Sequence, residues 1–531
     1  MTTGAPNETA AYDVAYDVAY DVAIVGFGPS GAVAAGLLGA RGIRTFVCDR
    51  TQDVYDKPRA IALDHEITRL FQNMGVSEQI KPYLEPFTDS VFYGVDGQVI
   101  KRMSTVAEPF PLAHTPSVVF TQPPVERILR AHAASFPCVT IALGQQLLNL
   151  SQDQSSVTLE LQDDKGQSST VRARYLIGCD GASSTVRTLA GIALEDLGFD
   201  EPWLVVDVLV NDQGLSKLPV TSVQYCHPER PATMVIGPGR HRRWEISINP
   251  GEDPEQLATP ESTWKLLAPW ISPADGELWR QASYRFHALV AEDWRKGHVF
   301  IAGDAAHQQP PFLGQGMCQG LRDVSNLCWK LDAVLKGAAP DSLLDSYTPE
   351  RKGHVTALTT RIKAIGKIIG ERDVAKARAR DAHLLKECGG VVKPVPRQDV
   401  QPPLQEGLLS ALLHPKRGTI FPQPWLLTAT GERRRMDDAI GTGWRVVLAP
   451  HASQEMHPTA SASNGMAAQI VQLGRPELTE ADDLLEKWFS ENNAVAAIVR
   501  PDHYVYGVSQ TAGELREQLC ALDALLETAQ N

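Results

Sequence analysis

Val299-Phe-Ile-Ala-Gly-Asp-Ala-Ala-His307, with its sequel Pro310-Pro-Phe-Leu-Gly-Gln-Gly-Met317, is the stretch whose reading decides the fold of this 531-residue chain. Val299 to Ala302 is a short apolar run closed by Gly303, the pattern of a strand buried on both faces. Asp304 then stands at the strand's C-terminal end, where open α/β sheets hold their ligands. Pro310, Pro311, Gly314 and Gly316 keep the next residues out of regular structure. Past Gly316, Met317, Leu321, Val324, Leu327, Leu331 and Leu335 recur at steps of three and four, which predicts a helix. The start of such a helix offers free backbone N–H groups and about half a unit of positive charge, suited to an electron-rich ring edge. A buried strand, a loop and a core helix with nothing bound is the plainer alternative.

Two more segments follow the same plan. Val22-Ala-Ile-Val25 is an apolar run followed at once by Gly26-Phe-Gly-Pro-Ser-Gly31, which opens a small-residue helix over Ala32 to Ala40. Glycines so placed allow a tight turn, backbone approach to a pyrophosphate and close helix–strand packing. A second strand, Thr45-Phe-Val-Cys48, ends in Asp49, 18 residues past Gly31 and near the spacing of an acid on an adenosine ribose. Tyr175-Leu-Ile-Gly-Cys-Asp-Gly-Ala-Ser-Ser-Thr-Val-Arg187 is again a buried strand, ending in Asp180-Gly181 and running into a helix. The acids Asp49, Asp180 and Asp304 span more than 250 residues of sequence and are expected to converge on one dinucleotide.

These segments resemble the FAD motifs of the aromatic-ring hydroxylases, the single-component flavoprotein monooxygenases. Gly320-Leu-Arg-Asp323 and Asn326-Leu-Cys-Trp-Lys-Leu331 extend the resemblance toward the group acting on 3-(3-hydroxyphenyl)propionate. The resemblance implies bound FAD, reduction by NADH or NADPH, and transfer of one oxygen atom of O2 through a flavin C4a-hydroperoxide to a phenolic aromatic acid. It implies that Gly26, Gly28, Pro29, Ser30 and Gly31 meet the pyrophosphate and that Asp49 and Arg50 meet the adenosine, although relatives usually carry Glu where Asp49 stands. In Lys57-Pro-Arg-Ala-Ile61 it puts Arg59 near the flavin and the incoming nicotinamide. Gln122 falls on the ribityl chain, and Asp180 and Gly181 serve the pyrophosphate region and NAD(P)H. Gly303 and Asp304 fall on the ribityl hydroxyls; Pro311, Gly314, Gln315, Gly316 and Met317 fall on the pyrimidine edge. A hydroxylase of larger phenols, such as hydroxybiphenyls or polyketide aromatics, is the alternative substrate reading, and a non-catalytic FAD-fold carrier the alternative class.

A phenol attacks electrophilic oxygen well only when deprotonated or strongly hydrogen-bonded, so a base or acceptor is expected near the ring. Asp64 and His65 are candidates; Asp64 reads equally as the N-cap of a helix over Glu66 to Met74. Arg59 is counted with them. Tyr225, His227 and His287 are candidate pocket groups that read otherwise as ordinary sheet residues. Arg240, Arg242 and Arg243 either meet an acidic substrate or lie on a solvated strand paired with Glu229 and Glu245.

The expected architecture is mixed α/β. A Rossmann-like FAD-binding domain takes residues 1–88, 114–198 and 290–390, and an inserted β-sheet substrate domain takes 89–113 and 199–289. A Pro-rich linker covers 391–417, and a thioredoxin-like C-terminal domain covers 418–531. The single cysteine of that last unit, Cys520, rules out C-x-x-C redox chemistry and leaves packing or a homodimer contact as its role. Ala-Tyr-Asp-Val occurs three times from Ala11, and only the third copy runs into an apolar strand, so the first strand is expected there. A formal net charge of −13 without a basic cluster argues against nucleic acid. No run approaches the roughly 18 apolar residues of a membrane span, and no signal-peptide plan is present. Eight scattered cysteines read as reduced thiols rather than a zinc site or disulfide framework, hence a cytoplasmic protein without a metal.

Overall fold

The structure is a computed structural model that describes residues 19–456, 468–472, 474 and 478–527. The third repeat copy opens β1 (Tyr20–Val25), as expected, while the first two copies lie outside the described residues. β1 leads into helix α1 (Pro29–Gly39), and β2 (Thr45–Asp49), β3 (Val139–Leu143), β4 (Ser168–Gly178) and β5 (Val299–Ile301) complete a parallel sheet in the order β5-β4-β1-β2-β3. Val22, Ala23 and Ile24 are wholly buried because helices cover both faces of the sheet. Strand order reverses between β1 and β4. The crevice at their C-terminal ends is therefore the place where this architecture holds a dinucleotide.

Small residues set how closely the helices approach. A side chain on Gly36 or Gly39 of α1 would press on His132 or Phe136, 3.0 and 2.7 Å from an added Cβ. The remaining helices of this layer are α2 (His65–Asn73), α3 (Gln122–Ala134), α4 (Gly316–Leu335) and α5 (Tyr347–Gly370). The steps of three and four seen after Gly316 are borne out in α4, whose Leu321, Val324, Leu327 and Leu331 are fully buried.

A second sheet of nine strands lies beside the first. Its centre is formed by Gly276–Ala291, Leu194–Val210, His241–Ser247, Ala232–Ile236, Ser222–Tyr225 and Ser90–Tyr93 in that order. One face packs Leu204, Val206, Val208, Met234, Trp244 and Ile246 beneath Leu267 and Ile271. The other face carries Trp203, Phe92 and Phe286 toward Phe312 and the Ile362, Ile365 and Ile369 side of α5. That second face is the one turned to the FAD-type domain.

Residues 391–417 are not the free linker that their prolines suggest. Pro394–Pro396 pairs in parallel with Arg102–Ser104 at the edge of the nine-stranded sheet, a position that tolerates proline's missing donor. Leu404 and Leu408 are buried, and a Cβ on Gly418 would fall 2.0 Å from the Leu404 carbonyl oxygen. Beyond, Gln469–Gln472, Arg445–Leu448, Ala496–Val499 and Val505–Ser509 form a sheet whose first pair is parallel and whose other pairs are antiparallel. Helices Leu484–Glu491 and Ala512–Leu526 accompany this sheet. Buried ion pairs fix it to the body: Arg69 with Asp437 at 2.7 Å, and Glu350 with both Lys330 and Arg500 at 2.7 Å.

Candidate active site

At the β1–α1 turn each glycine has a visible reason. Gly26 has φ +99°, and a Cβ there would sit 2.3 Å from the Cys179 carbonyl oxygen; on Gly31 it would sit 1.9 Å from that of Gly26. Gly28 is different, since a Cβ there would meet nothing within 4 Å. The backbone at Gly28 thus borders open space at the uncapped start of α1, which Pro29 begins without giving up a useful donor. Asp49 accepts from Phe27 N at 2.7 Å and from Thr51 N and Oγ1, so its carboxylate is held at the crevice by the turn itself. Arg50 beside it is exposed.

The other two strand-end acids do different work from one another. Asp180 turns its carboxylate inward, accepting from Ser184 Oγ at 2.5 Å and Val186 N at 3.0 Å, and thereby shapes the Asp-Gly turn. Gly181, with φ +83°, leaves its backbone open to the crevice. Arg187 ties this turn to the next one through the Ala305 carbonyl at 2.9 Å. Asp304 makes no hydrogen bond or ion pair with any described residue. It is open to solvent, yet the protein walls around it partly desolvate its carboxyl and push it up from the ordinary value, against the pull of His307 and Arg59. A free carboxylate at a strand end, facing a crevice, is an acceptor set out for hydroxyl groups.

The turn that carries Asp304 is fixed from behind by Asp323. That fully buried side chain accepts from Gly303 N at 3.0 Å, His307 Nε2 at 2.8 Å and Arg351 Nε at 2.9 Å. Gly303 and Gly320 flank Ser30, with added Cβ atoms falling 2.9 and 2.5 Å from its Oγ, so the first turns of α1 and α4 meet at Asp304's base. Gly314 has φ +65° and closes a turn onto the Pro311 carbonyl at 2.6 Å. Gln315 then precedes α4, whose start has no side-chain cap and leaves Gly316 and Met317 at open backbone.

Arg59 is exposed and stacks over the Tyr55 ring at 5.3 Å. Its backbone is clamped from the sheet domain: Arg243 donates to the Arg59 carbonyl at 2.6 Å, and Arg280 donates to the Pro58 carbonyl at 2.5 Å. Both guanidiniums are anchored on buried Asp207, Arg243 Nε at 2.7 Å. The strand His241–Ser247 is therefore not the solvated strand of the sequence reading, and Arg243 takes Asp207 as its partner rather than Glu245. Arg240 and Arg242 bond nearby carbonyls.

Gln122 uses both ends of its amide on protein. It accepts from Ala60 N at 2.6 Å and donates one N–H to Glu126, so it holds the Arg59 segment. Asp64 is the N-cap of α2, accepting from Glu66 N and Ile67 N at 3.2 and 3.3 Å, and it pairs with Arg322 at 2.5 Å. Burial would raise its pKa, but the Arg322 guanidinium wins and holds the carboxyl below its usual range. Arg322 also bonds Glu66 at 2.6 Å and Gln315 Oε1 at 3.2 Å, which ties the cap of α2 to the residue that starts α4. Burial takes His65 down to about 4, so it is neutral at physiological pH. These groups line a cavity of about 330 Å³ together with Arg397, Gln401 and Tyr504, behind the Leu313–Gln315 loop.

Two family models match the chain: an FAD binding domain over residues 19–362 and an HcaD C-terminal domain over 418–524. A probable NADH-specific resorcinol 4-hydroxylase of Rhodococcus jostii (strain RHA1) is 37% identical over 504 residues, covering 93% of this chain and 92% of the relative. The chain belongs to the FAD-dependent aromatic hydroxylases. A 3-(3-hydroxy-phenyl)propionate/3-hydroxycinnamic acid hydroxylase of Burkholderia cenocepacia (strain HI2424) is 32% identical over 515 residues, covering 92% of this hydroxylase and 94% of that one. Aklavinone-11 hydroxylase, solved with FAD and aklavinone, shares the fold at a TM-score of 0.78 and 24% identity, covering 96% of this chain and all of that one.

The hydroxylase's three expected pocket groups lie on the outer face of the sheet or at the surface. Tyr225 points into the opposite face of the sheet, its ring 5.3 Å from Trp270 and 6.5 Å from Tyr93. Strand alternation put it there, one residue out of step with Gln224. His287 is part-exposed beside Asp200 at 3.6 Å, and His227 is exposed. The sequence reading missed Asp207, Asp323 and Arg322 as positioning residues. Asp323 and Arg322 lay in the quoted Gly320-to-Asp323 motif, but their charged partners are 16 to 258 residues away, beyond any local signal.

Proposed function

We propose that this hydroxylase uses NADH and O2 to add one hydroxyl group to a small phenol carrying a second substituent meta to its hydroxyl. The observation that carries the reading is Asp304, a strand-end carboxylate with no hydrogen-bond or ion-pair partner among the described residues, at the same C-terminal edge of the sheet as the open backbone of Gly28 and Gly181. Those residues, with Asp49 and the starts of α1 and α4, would hold FAD by its ribityl hydroxyls, pyrophosphate and ring edge. Bound FAD, reduced by NADH, supplies the activated oxygen. The chain supplies position, polarity and exclusion of water. Asp207, Arg243 and Arg280 set the backbone of the Arg59 segment. Asp323, His307 and Arg351 set the turn beneath Asp304. Phe312, packed at 5.5 Å on Trp203, closes the apolar end between the flavin loop and the sheet.

The meta substituent is the feature common to the two relatives' named substrates, resorcinol and 3-(3-hydroxy-phenyl)propionate. NADH rather than NADPH follows the relative named as NADH-specific. The test is oxidation of NADH and of NADPH with a panel of phenols, scored for hydroxylated product against peroxide. Faster, product-forming oxidation of NADH with meta-substituted phenols is expected. Product only from fused-ring phenols would transfer the reading to the larger substrates.

A further inference from the structure

The strand His241–Ser247 sits in the middle of the nine-stranded sheet, between Leu194–Val210 and Ala232–Ile236. Its residues alternate. Trp244 and Ile246 enter the apolar core on one side, so Arg243, Glu245 and Ser247 stand on the other. That second face meets the flavin domain, because Arg243 reaches the Arg59 carbonyl and Trp203, cross-strand from Ser247, reaches Phe312.

Glu245 lies on this face opposite Val205 on one neighbouring strand and Thr233 on the other. It is 5% exposed, and neither carboxylate oxygen has a hydrogen-bond or ion-pair partner among the described residues. A buried acid without a partner is costly to keep. The cation nearest in sequence makes no bond to it, because Arg243 places two bonds on Asp207, at 2.7 and 3.1 Å. Next to it, Thr233 donates to Gln224 Oε1 at 2.5 Å, which leaves the Gln224 amide nitrogen as a donor on the same face. On the face that carries Arg243 toward Arg59, Glu245 and Gln224 thus offer an acceptor carboxyl and an amide donor that no described residue engages.

We propose that Glu245 is the catalytic acceptor for the substrate's phenolic hydroxyl, deepening the function proposed above and resting on it. In the step assigned to it, the phenol O–H bond breaks and a Glu245 Oε–H bond forms. The electron pair stays on the phenol oxygen, enriching the ortho and para ring carbons for attack on the oxygen delivered by the reduced flavin and O2. The proton returns to solvent when the product leaves. Gln224 Nε2 donates to the same oxygen or to the meta substituent.

The electrostatics suit the task. Burial pushes the Glu245 carboxyl up to about 7, with Arg243 opposing and Asp207 reinforcing the shift. A base works best when its pKa lies near the operating pH. The charged or titratable groups on the packed elements are Asp207, Arg280, His241 and Arg243, with Arg372 held on Ser247. The first four form one closed cluster around Asp207.

The test uses FAD-loaded protein, wild type and the variants Glu245→Gln and Glu245→Leu, with resorcinol as the probe. Resorcinol binding to the oxidised enzyme is read from the flavin absorbance change, and product per NADH is measured across pH. Glu245→Gln is expected to keep FAD and NADH oxidation, to weaken resorcinol binding by about tenfold through loss of a charge-assisted bond, and to divert NADH to peroxide. Wild-type product per NADH should fall below pH ~7, and that inflection should vanish in Glu245→Gln. Should Glu245→Leu fold poorly, Glu245→Gln alone decides. Equal product per NADH with an unchanged pH profile overturns the assignment. If wild type hydroxylates no meta-substituted phenol at all, the proposed function fails first, and the two failures are told apart.

Discussion

Asp64→Asn separates two roles that one carboxylate combines. The amide retains an oxygen to cap α2 at Glu66 N and Ile67 N, but it removes the charge facing Arg322 at 2.5 Å. Arg322 is 3% exposed and would then keep Glu66, at 2.6 Å, as its one carboxylate among the described residues. Removing one partner of a buried ion pair costs about 3–5 kcal/mol when the other charge is stranded. Glu66 remains, so roughly half of that, about 2 kcal/mol, is expected here. Asp64→Ala should lose about 1 kcal/mol more, because the cap goes as well. Denaturant unfolding of the apoprotein near neutral pH reads both values, and flavin titration reads the loop, since Arg322 also holds Gln315 at the start of α4. The expected pattern is wild type, then Asp64→Asn, then Asp64→Ala in stability. Flavin affinity should weaken in both variants, while product per NADH in the flavin-loaded fraction stays at the wild-type value. An Asp64→Asn protein as stable as wild type that turns NADH into peroxide would refute the reasoning and make Asp64 the proton acceptor.

Asp304→Ala should weaken FAD binding by ~1–3 kcal/mol, seen as flavin lost on dialysis, and full flavin occupancy would remove Asp304 from the ribityl contact. Glu350→Gln should cost about 3–5 kcal/mol and loosen the C-terminal unit, because buried Lys330 and Arg500 lose their common carboxylate; protection of residues 496–509 in hydrogen exchange reports it. Lys330 and Arg500 hold Glu350 at about 2 despite its burial, so its contribution is present above the ordinary value of 4.5 and is lost as pH falls through about 2. Glu245 has the opposite sign: its folded pKa of about 7 lies above 4.5, so ionisation costs stability, and apo Glu245→Gln should gain on wild type as pH rises through 7. Thermal unfolding across pH measures that gain. Deleting residues 11–18 leaves β1 and its pairings with β2 and β4 in place, so flavin content and activity should be unchanged.

What was legible in the sequence was what local rules control. An apolar run ended by glycine or aspartate is a buried strand feeding a turn wherever it occurs, so β1, β2, β4 and β5, with the acids that close the last three, could be found one at a time. The glycines at 26, 28 and 31 follow from the space around a single turn. Partner choice was not legible. Asp180 and Gln122 carry the expected residue types, yet Ser184 and Ala60 engage their polar atoms, and only the packed structure shows it. Tyr225 and Gln224 differ by one position, which in a strand decides between the outer core and the flavin side. Glu245 was read as a surface partner for arginines because its neighbours in sequence are basic. Asp207, 36 residues from Arg243, takes that charge and leaves Glu245 unpaired. Prolines near 394 suggested a linker, although an edge position in a sheet tolerates proline equally well.

The most direct test of the account is mass analysis of the product formed by FAD-loaded protein from NADH, resorcinol and isotopically labelled O2. The account predicts a hydroxylated product carrying one labelled oxygen atom, formed in near-equal amount to the NADH consumed. NADH oxidation that yields only peroxide with every meta-substituted phenol, or a protein that takes up no FAD, would contradict it.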